Sequence, residues 1–325
     1  MADLTHTISI VTPTYLRPAE VIGLLDNLAG QTLLPTEVIL VDGACEGESE
    51  SEEAVARVIA DYPFRINYLR KSGGTAIQRN FGIDAANSDL IAFIDDDVRL
   101  ESDFLEVIAA RFAEDKTCEI GGIVGYRTNE HFKLNESERW RWYKRLGLLR
   151  VFEPGRYDFE TGYPINASMQ EPFSGTRPVD FMTTACAVWR REVFESGLRF
   201  HEFFRDYGVL EDAHLSLQAA RNWKLLQCGD AKCIELRSPV GRIGRRKIGY
   251  KSVVNYYFVF SEIAGPLSFA RKFRFWRYQA FEFFRISTSA IRRRNWGDVL
   301  ELVGRAEGTV KLLGGIRGLT SKCVW

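Results

Sequence analysis

The chain has 325 residues, enough for one large α/β domain with an appendage and a sizeable core. Its 43 basic and 43 acidic side chains cancel, and 46% of its residues are hydrophobic, so the whole chain gives no nucleic-acid signal and none of a disordered one. The balance hides a division: residues 237–295 carry 14 Lys/Arg against 2 Asp/Glu, so the remainder is acidic by the same margin. The first residues show no basic stretch leading into an apolar one, so no signal peptide is expected. No uninterrupted apolar run of about 18 residues exists, the nearest approach from Ser252 being broken by Asn255, Glu262 and Pro266, so no clear membrane span is expected either. The six cysteines, Cys45, Cys118, Cys186, Cys228, Cys233 and Cys323, form no CxxC pair. They read as the reduced thiols of a cytoplasmic protein rather than as metal or redox centres.

In chain order, residues 8–11 form an apolar run that ends at Pro13 and predicts a first buried strand. Val21, Leu24, Leu25 and Leu28 follow at helical spacing, with Pro18 where a first turn tolerates it. Residues 38–41 predict a second strand, stopped by Asp42-Gly43. "SESEEAVARVIADY" reads as a helix with acids at its N-terminal dipole. "FRINYLR" is a third strand, "GGTAIQRNFGIDAA" a glycine-led helix, and residues 90–94 a fourth strand. "ESDFLEVIAARFAED" is a helix with Ser102 as its expected cap. This alternation predicts an α/β fold with a mostly parallel sheet, and ligands beyond the carboxyl ends of its strands. "EIGGIVGYR" and "DFMTTACAVWRREVF" are expected to extend the sheet. Residues 129–177 contain little periodicity and read as an insertion or a helical flap. A loop then leads into a helix at "LEDAHLSLQAAR".

The stretch "DLIAFIDDDVRL" runs an apolar strand into Asp95, Asp96 and Asp97. Two carboxylates about 4 Å apart repel by about 4 kcal/mol at an effective dielectric near 20. In an extended chain Asp95 and Asp97 point to one side. Asp-x-Asp can therefore offer oxygens to a hard Mg2+ or Mn2+, which in turn binds a diphosphate. The rival is a solvated acidic turn, and the absence of Ser, Gly or Pro favours the metal. Asp42 reads as an acceptor for a base or ribose, or as an ordinary Asp-Gly turn. "TPTY", Thr12 to Tyr15, offers hydroxyls, a rigid turn at Pro13 and the aromatic face of Tyr15, or only a loop. The glycine-led helix can present backbone N–H groups to phosphate, with Arg79 as a phosphate partner or a surface residue. Glu211 and Asp212 are either dipole-satisfying acids or a general base. No GxxxxGK[ST], no GxGxxG after the first strand and no Gly-x-Ser-x-Gly is present, which disfavours P-loop, dinucleotide and hydrolase readings. His6, His131, His201 and His214 have no metal-ligand spacing and are expected to be structural or exposed.

Taken in order, "ISIVTPTYLRP", "EVILVDGA", "GGTAIQRNFGIDAANSDLIAFIDDD" and "LEDAHLSLQAAR" resemble the family 2 glycosyltransferases with the GT-A fold, over roughly residues 8–221. The resemblance implies a GT-A-type, Rossmann-like, mostly parallel sheet flanked by helices. It implies a metal-dependent, inverting hexosyl transfer from a nucleotide-diphosphate sugar. Thr12, Pro13, Tyr15, Asp42, Arg79, Asp95 and Asp96 would then bind the nucleotide sugar. Asp97, with Asp95, would hold Mn2+ or Mg2+, and Asp212, ahead of Glu211, would be the catalytic base. His214 departs from the acidic residue often found two positions after that base. The implied organisation is a catalytic domain over 1–236, with a nucleotide-sugar half at 1–125 and an acceptor half at 126–236, followed by a helical basic, aromatic-rich segment at 237–325. A UDP-sugar is the expected donor, with guanosine and thymidine open. The expected acceptor is a saccharide or lipid-linked saccharide, in cell-surface polysaccharide or lipid-linked oligosaccharide assembly.

"RRKIGYKSVVNYYFVF" and "FARKFRFWRYQAFEFFRI" mix cations with aromatic rings outside that resemblance. They read as amphipathic helices on the inner face of an anionic membrane, with contact through 237–296, as a cap over an acceptor cleft, or as an oligomer interface. No nucleic-acid partner is expected. Two other functions compete. A sugar-phosphate nucleotidyltransferase would show a glycine-rich loop after its first strand, which "TPTYLRPAE" lacks. A non-catalytic nucleotide-sugar-binding protein would be expected to lose Glu211 or Asp212, and both are present.

Overall fold

The computed structural model describes residues 6–45, 50–130, 138–206, 208–238 and 243–314; His131 and Cys323 lie outside them. The chain divides into two compact units, Met1–Phe132 with Asn166–Gly241, and Lys133–Ile165 with Arg242–Trp325.

The first unit opens with β1 (Ile8–Thr14), α1 (Pro18–Ala29), β2 (Glu37–Asp42), α2 (Glu50–Val58), β3 (Arg65–Arg70), α3 (Thr75–Ala85) and β4 (Leu90–Ile94). β5 (Val98–Leu100), α4 (Phe104–Glu114) and β6 (Ile120–Arg127) follow. The chain then forms α5 (Glu138–Arg145), β7 (Tyr157–Asp158) and β8 (Tyr163–Pro164) in the second unit. It returns to the first unit for β9 (Thr176–Pro178), β10 (Cys186–Arg190), α6 (Glu192–Glu195), α7 (Glu211–Ala219) and β11 (Lys224–Glu235). The second unit ends with α8 (Arg245–Ala264), α9 (Phe269–Arg293) and α10 (Trp296–Leu313).

Every residue of β1, β2 and β4 is buried, as befits parallel strands covered on both faces. The sheet order is β3-β2-β1-β4-β10-β6-β11-β5, with β9 on β11. The predicted α/β class and GT-A-type sheet are present, and the parallel run is β3-β2-β1-β4. Antiparallel pairing enters with β10, which lies between β4 and β6 and sets Cys186 opposite Ile94. The chain therefore approaches β10 from the carboxyl end of β4, next to the acidic tip. β11 has no counterpart among the predicted strands. Its mixed residues and the register shift between Gln227 and Lys232 erase any alternation. The Ser102 cap does not form. Asp103 is the N-cap without a side-chain bond, and the Phe104 N–H turns back to the Glu101 carbonyl at 3.0 Å.

In the second unit residues 133–165 group with the C-terminal helices because their rings interlock. Tyr163 lies 5.0 Å and Tyr143 5.7 Å, centre to centre, from Tyr278. Glu282, fully buried, accepts from the Tyr143 hydroxyl at 2.5 Å and from Arg139 and Arg285. Burial pushes its carboxyl up, but Arg139 and Arg285 outweigh it and hold the group at about 2. α8 and α10 pack backbone to backbone: a Cβ on Gly304 would lie 1.9 Å from the Arg246 carbonyl oxygen.

Candidate active site

The carboxyl ends of β1, β2 and β4 and the first turns of α3 and α7 converge within the first unit. The acidic tip is not an extended chain. The Val98 N–H donates to the Asp95 carbonyl at 3.1 Å, which closes a β-turn over Asp95–Asp96–Asp97–Val98. The expectation that Asp95 and Asp97 share a side through strand alternation is therefore corrected. Aspartate is a favoured first residue of such a turn, and β5 must start at Val98 to pair with β11.

The turn sends the three carboxylates to three sets of partners. Asp95, whose side chain is one-third exposed, accepts from Arg79 at 2.9 Å. Asp96 is 2% exposed and has both oxygens engaged, by the Thr14 hydroxyl at 2.8 Å and Arg17 at 2.7 Å. Burial nevertheless raises Asp96 to about 6. Asp97 accepts from the Ser238 N–H at 3.0 Å and lies 3.9 Å from Arg17, while its carbonyl accepts from the Leu236 N–H. Two arginines thus carry much of the neutralisation that the sequence assigned to a cation.

Arg79 is the centre of the site. Its guanidinium bridges Asp95 and Glu211, the latter at 3.1 Å, and lies over the Phe200 ring. It is 3% exposed, and its Nε has no hydrogen-bond partner. Asp212 follows Glu211 in the first turn of α7 and accepts from the Ala213 N–H at 2.7 Å. Burial, then repulsion from Glu211, pushes Asp212 up to about 7. Leu210, just ahead of the pair, has φ of 69°, a left-handed conformation that an ordinary side chain rarely adopts.

The glycine-led turn is tied to the loop ahead of α7. The Thr75 N–H, first of α3, donates to the Asp206 carbonyl, and the Asp206 N–H donates back to the Gly73 carbonyl. Gly74 has φ of 98°, and a Cβ there would sit 1.9 Å from the Asp206 oxygen. Gly74→Ala is accordingly expected to destabilise the unit by roughly 1–3 kcal/mol through backbone strain alone, more with the clash. A melting temperature equal to the parent's would contradict that account.

Asp42 is fully buried. One oxygen caps the Ala44 N–H at 2.9 Å, and the other accepts from the Tyr68 hydroxyl. Thr12 and Pro13 are buried in β1, Thr12 with its hydroxyl oxygen unpartnered, whereas Tyr15 is 45% exposed just past the strand. His214 is core: burial, then His201, lowers it to about 3, and it packs against His201 and Phe204. Sequence reasoning missed Arg17, Tyr68 and Ser238. Arg17 left one signal, since a cation at a helix N-terminus opposes the dipole unless a carboxylate is near.

Asp95 and Asp97 present oxygen donors only, the chemistry that hard Mg2+ or Mn2+ prefers. No group of three or more His, Cys, Asp or Glu side chains suited to a metal exists among the described residues. The protein's share would therefore be small, with substrate and water completing the shell, as is usual for Mg2+. On this donor chemistry the residues fit such a cation.

The family model described as Glycosyl transferase family 2 matches residues 9–198, more than half of the chain. The chain belongs to glycosyl transferase family 2. Its match to an uncharacterized glycosyltransferase, YwdF, of Bacillus subtilis (strain 168) is 37% identical over 28% of this chain and 32% of the relative. Its match to the putative glycosyltransferase EpsH of the same organism is 32% identical over 35% and 32%. This family 2 chain thus spans about a third of the curated relatives it matches. Its fold is shared with the mannosyltransferase PcManGT from Pyrobaculum calidifontis, solved with GDP-Man and Mn2+. That similarity has a TM-score of 0.54 at 14% identity and covers 97% of this chain and 77% of the other.

Proposed function

We propose that the chain is an inverting transferase that moves a sugar from a nucleotide-diphosphate donor to an acceptor hydroxyl. The observation that carries the reading is Arg79, which joins the acidic tip of β4 to the acid pair of α7. That bridge brings a leaving-group partner and a candidate base together around the buried Arg79. Asp212, raised to about 7, has a proton affinity matched to taking a proton near neutral pH. It would accept the proton of the attacking hydroxyl as that oxygen bonds to the anomeric carbon and the diphosphate leaves on the far face. Single displacement needs no covalent intermediate. The Arg79 Nε, a buried donor with no partner, supports contact with a phosphate oxygen where charge develops. Asp42, oriented by Tyr68, and Tyr15 would hold the nucleoside, with Thr12 and Pro13 shaping the floor. Asp96 would position rather than bind, because Thr14 and Arg17 engage both its oxygens. A Mn2+ or Mg2+ held by Asp95 and Asp97 would supply charge neutralisation of the diphosphate.

The GDP-Man and Mn2+ in the fold's solved relative support a nucleotide sugar and a divalent cation here. UDP is the first donor base to test, with GDP beside it. A saccharide or lipid-linked saccharide, in surface polysaccharide or lipid-linked oligosaccharide assembly, is the acceptor class. The test is a nucleotide-sugar hydrolysis screen with Mn2+, read as nucleoside diphosphate release. One donor should be cleaved slowly, and Asp97→Ala or a chelator should lower release at least about 100-fold. No release from any donor, with no nucleotide raising the melting temperature, would sink the reading.

A further inference from the structure

The second unit carries a groove lined by none of the candidate site residues. It lies between α5 and α9, has a volume of about 680 Å³, and is lined by Trp142, Leu146, Phe281, Phe284, Arg292 and Arg293 among others. The rings are not core. Phe284 is 65% exposed, and Trp142 and Leu146 are nearly half exposed. The groove continues a stripe along α9. Phe269, Phe273, Phe284 and Ile291 recur at four, eleven and seven residues, each step close to a whole number of turns, and all four are exposed.

Charge accompanies the stripe. α9 holds seven Lys/Arg against one Asp/Glu. That acid, Glu282, is turned inward and satisfied by Arg139, Arg285 and Tyr143. Arg271 and Arg274 are spent on Glu160. Lys272, Arg292, Arg293 and Arg294 make no ion pair among the described residues. Glu138 is the only acid that lines the groove. The groove thus pairs exposed rings with uncommitted cations.

We infer that this face docks on the surface of a bilayer containing anionic phospholipid, with a headgroup phosphate at Arg292 and Arg293 and the rings in the acyl boundary. No helix among the described residues is long and apolar enough to cross a membrane, so the contact lies in the surface plane. Trp142 suits that level, where one face of the indole meets lipid and its N–H meets water. Charge complementarity selects this occupant over a second copy of the chain. A two-fold pairing through the same face would set one cationic stripe against another.

The test uses the full chain in vesicle co-sedimentation. It should bind vesicles of phosphatidylcholine and phosphatidylglycerol mixed about 2:1, release in high salt, and bind phosphatidylcholine alone far more weakly. Arg292→Glu with Arg293→Glu should weaken binding at least roughly 20-fold. Phe284→Ser, at an exposed position, should weaken it roughly tenfold with the melting temperature unchanged. Equal binding to both vesicle types, or variants that bind like the parent, would overturn the inference. So would release by inorganic phosphate at an ionic strength where chloride releases nothing, which would mark a site for free phosphate. A concentration-dependent dimer abolished by Phe284→Ser would assign the face to a second copy instead. None of these readouts depends on sugar transfer, so they stand or fall apart from the donor screen.

Discussion

Asp212→Asn is expected to lower kcat by about 1,000-fold, within the range that a positioned general base contributes. The binding of nucleoside diphosphate should change little, because the loss falls on acceptor activation. The pH dependence follows from the same carboxyl. Its ordinary value of 3.8 is raised to about 7, first by burial and then by Glu211. A base works only deprotonated, so kcat/KM should climb about tenfold per pH unit below that value and level off above it. The sign for stability is opposite. The folded chain holds a proton that the unfolded chain gives up, so this group lowers stability as pH rises between its unfolded and folded values. Asp212→Asn removes that penalty. At pH 8 the variant should melt no lower than the parent while being nearly inactive. A flat pH profile, or an inactive variant that has also lost its fold, would remove Asp212 from the role.

Arg79→Met carries the second large effect, on stability as well as rate. The substitution preserves length and apolar stem but leaves Asp95 and Glu211 facing a buried space without their cation. Breaking such a pair from one side costs about 3–5 kcal/mol. For a unit of this size that is a fall in melting temperature of roughly 10 °C. Lower pH should restore part of it, because protonated carboxylates no longer need the arginine. Arg79→Lys should recover only a fraction, since one ammonium cannot reproduce a fork that serves two carboxylates. Nucleoside diphosphate release should fall at least about 100-fold in Arg79→Met. Unchanged melting and unchanged release together would mean that the bridge is incidental.

The early half of the fold was legible because each of its elements is a local pattern. Uninterrupted apolar strands separated by amphipathic helices admit few arrangements other than a parallel sheet. α1 buries the four residues that its spacing selects. β11 was not legible, since a strand that pairs with three others through a register shift has no single period. The partition of residues 133–165 was hidden for a related reason. Tyr143 and Tyr163 belong to short elements, and their partners, Tyr278 and Phe281, lie more than a hundred residues away.

At the site the sequence supplied the kinds of residue and the structure supplied their allegiances. Composition and order alone placed Asp42, Asp95, Asp96 and Asp97 at the ends of their strands and Glu211 and Asp212 at a helix start, because strand ends and helix starts are written in short stretches. Which carboxylate meets which arginine depends on contacts across 79 residues for Arg17 with Asp96 and 132 for Arg79 with Glu211. Nothing in either short stretch encodes those distances. The turn at Asp95–Val98 shows the same division. Aspartate permits both a strand end and a turn, and the demand of β5 to pair with β11 chose the turn. Local chemistry determined what could be brought together, and only long-range packing decided what was.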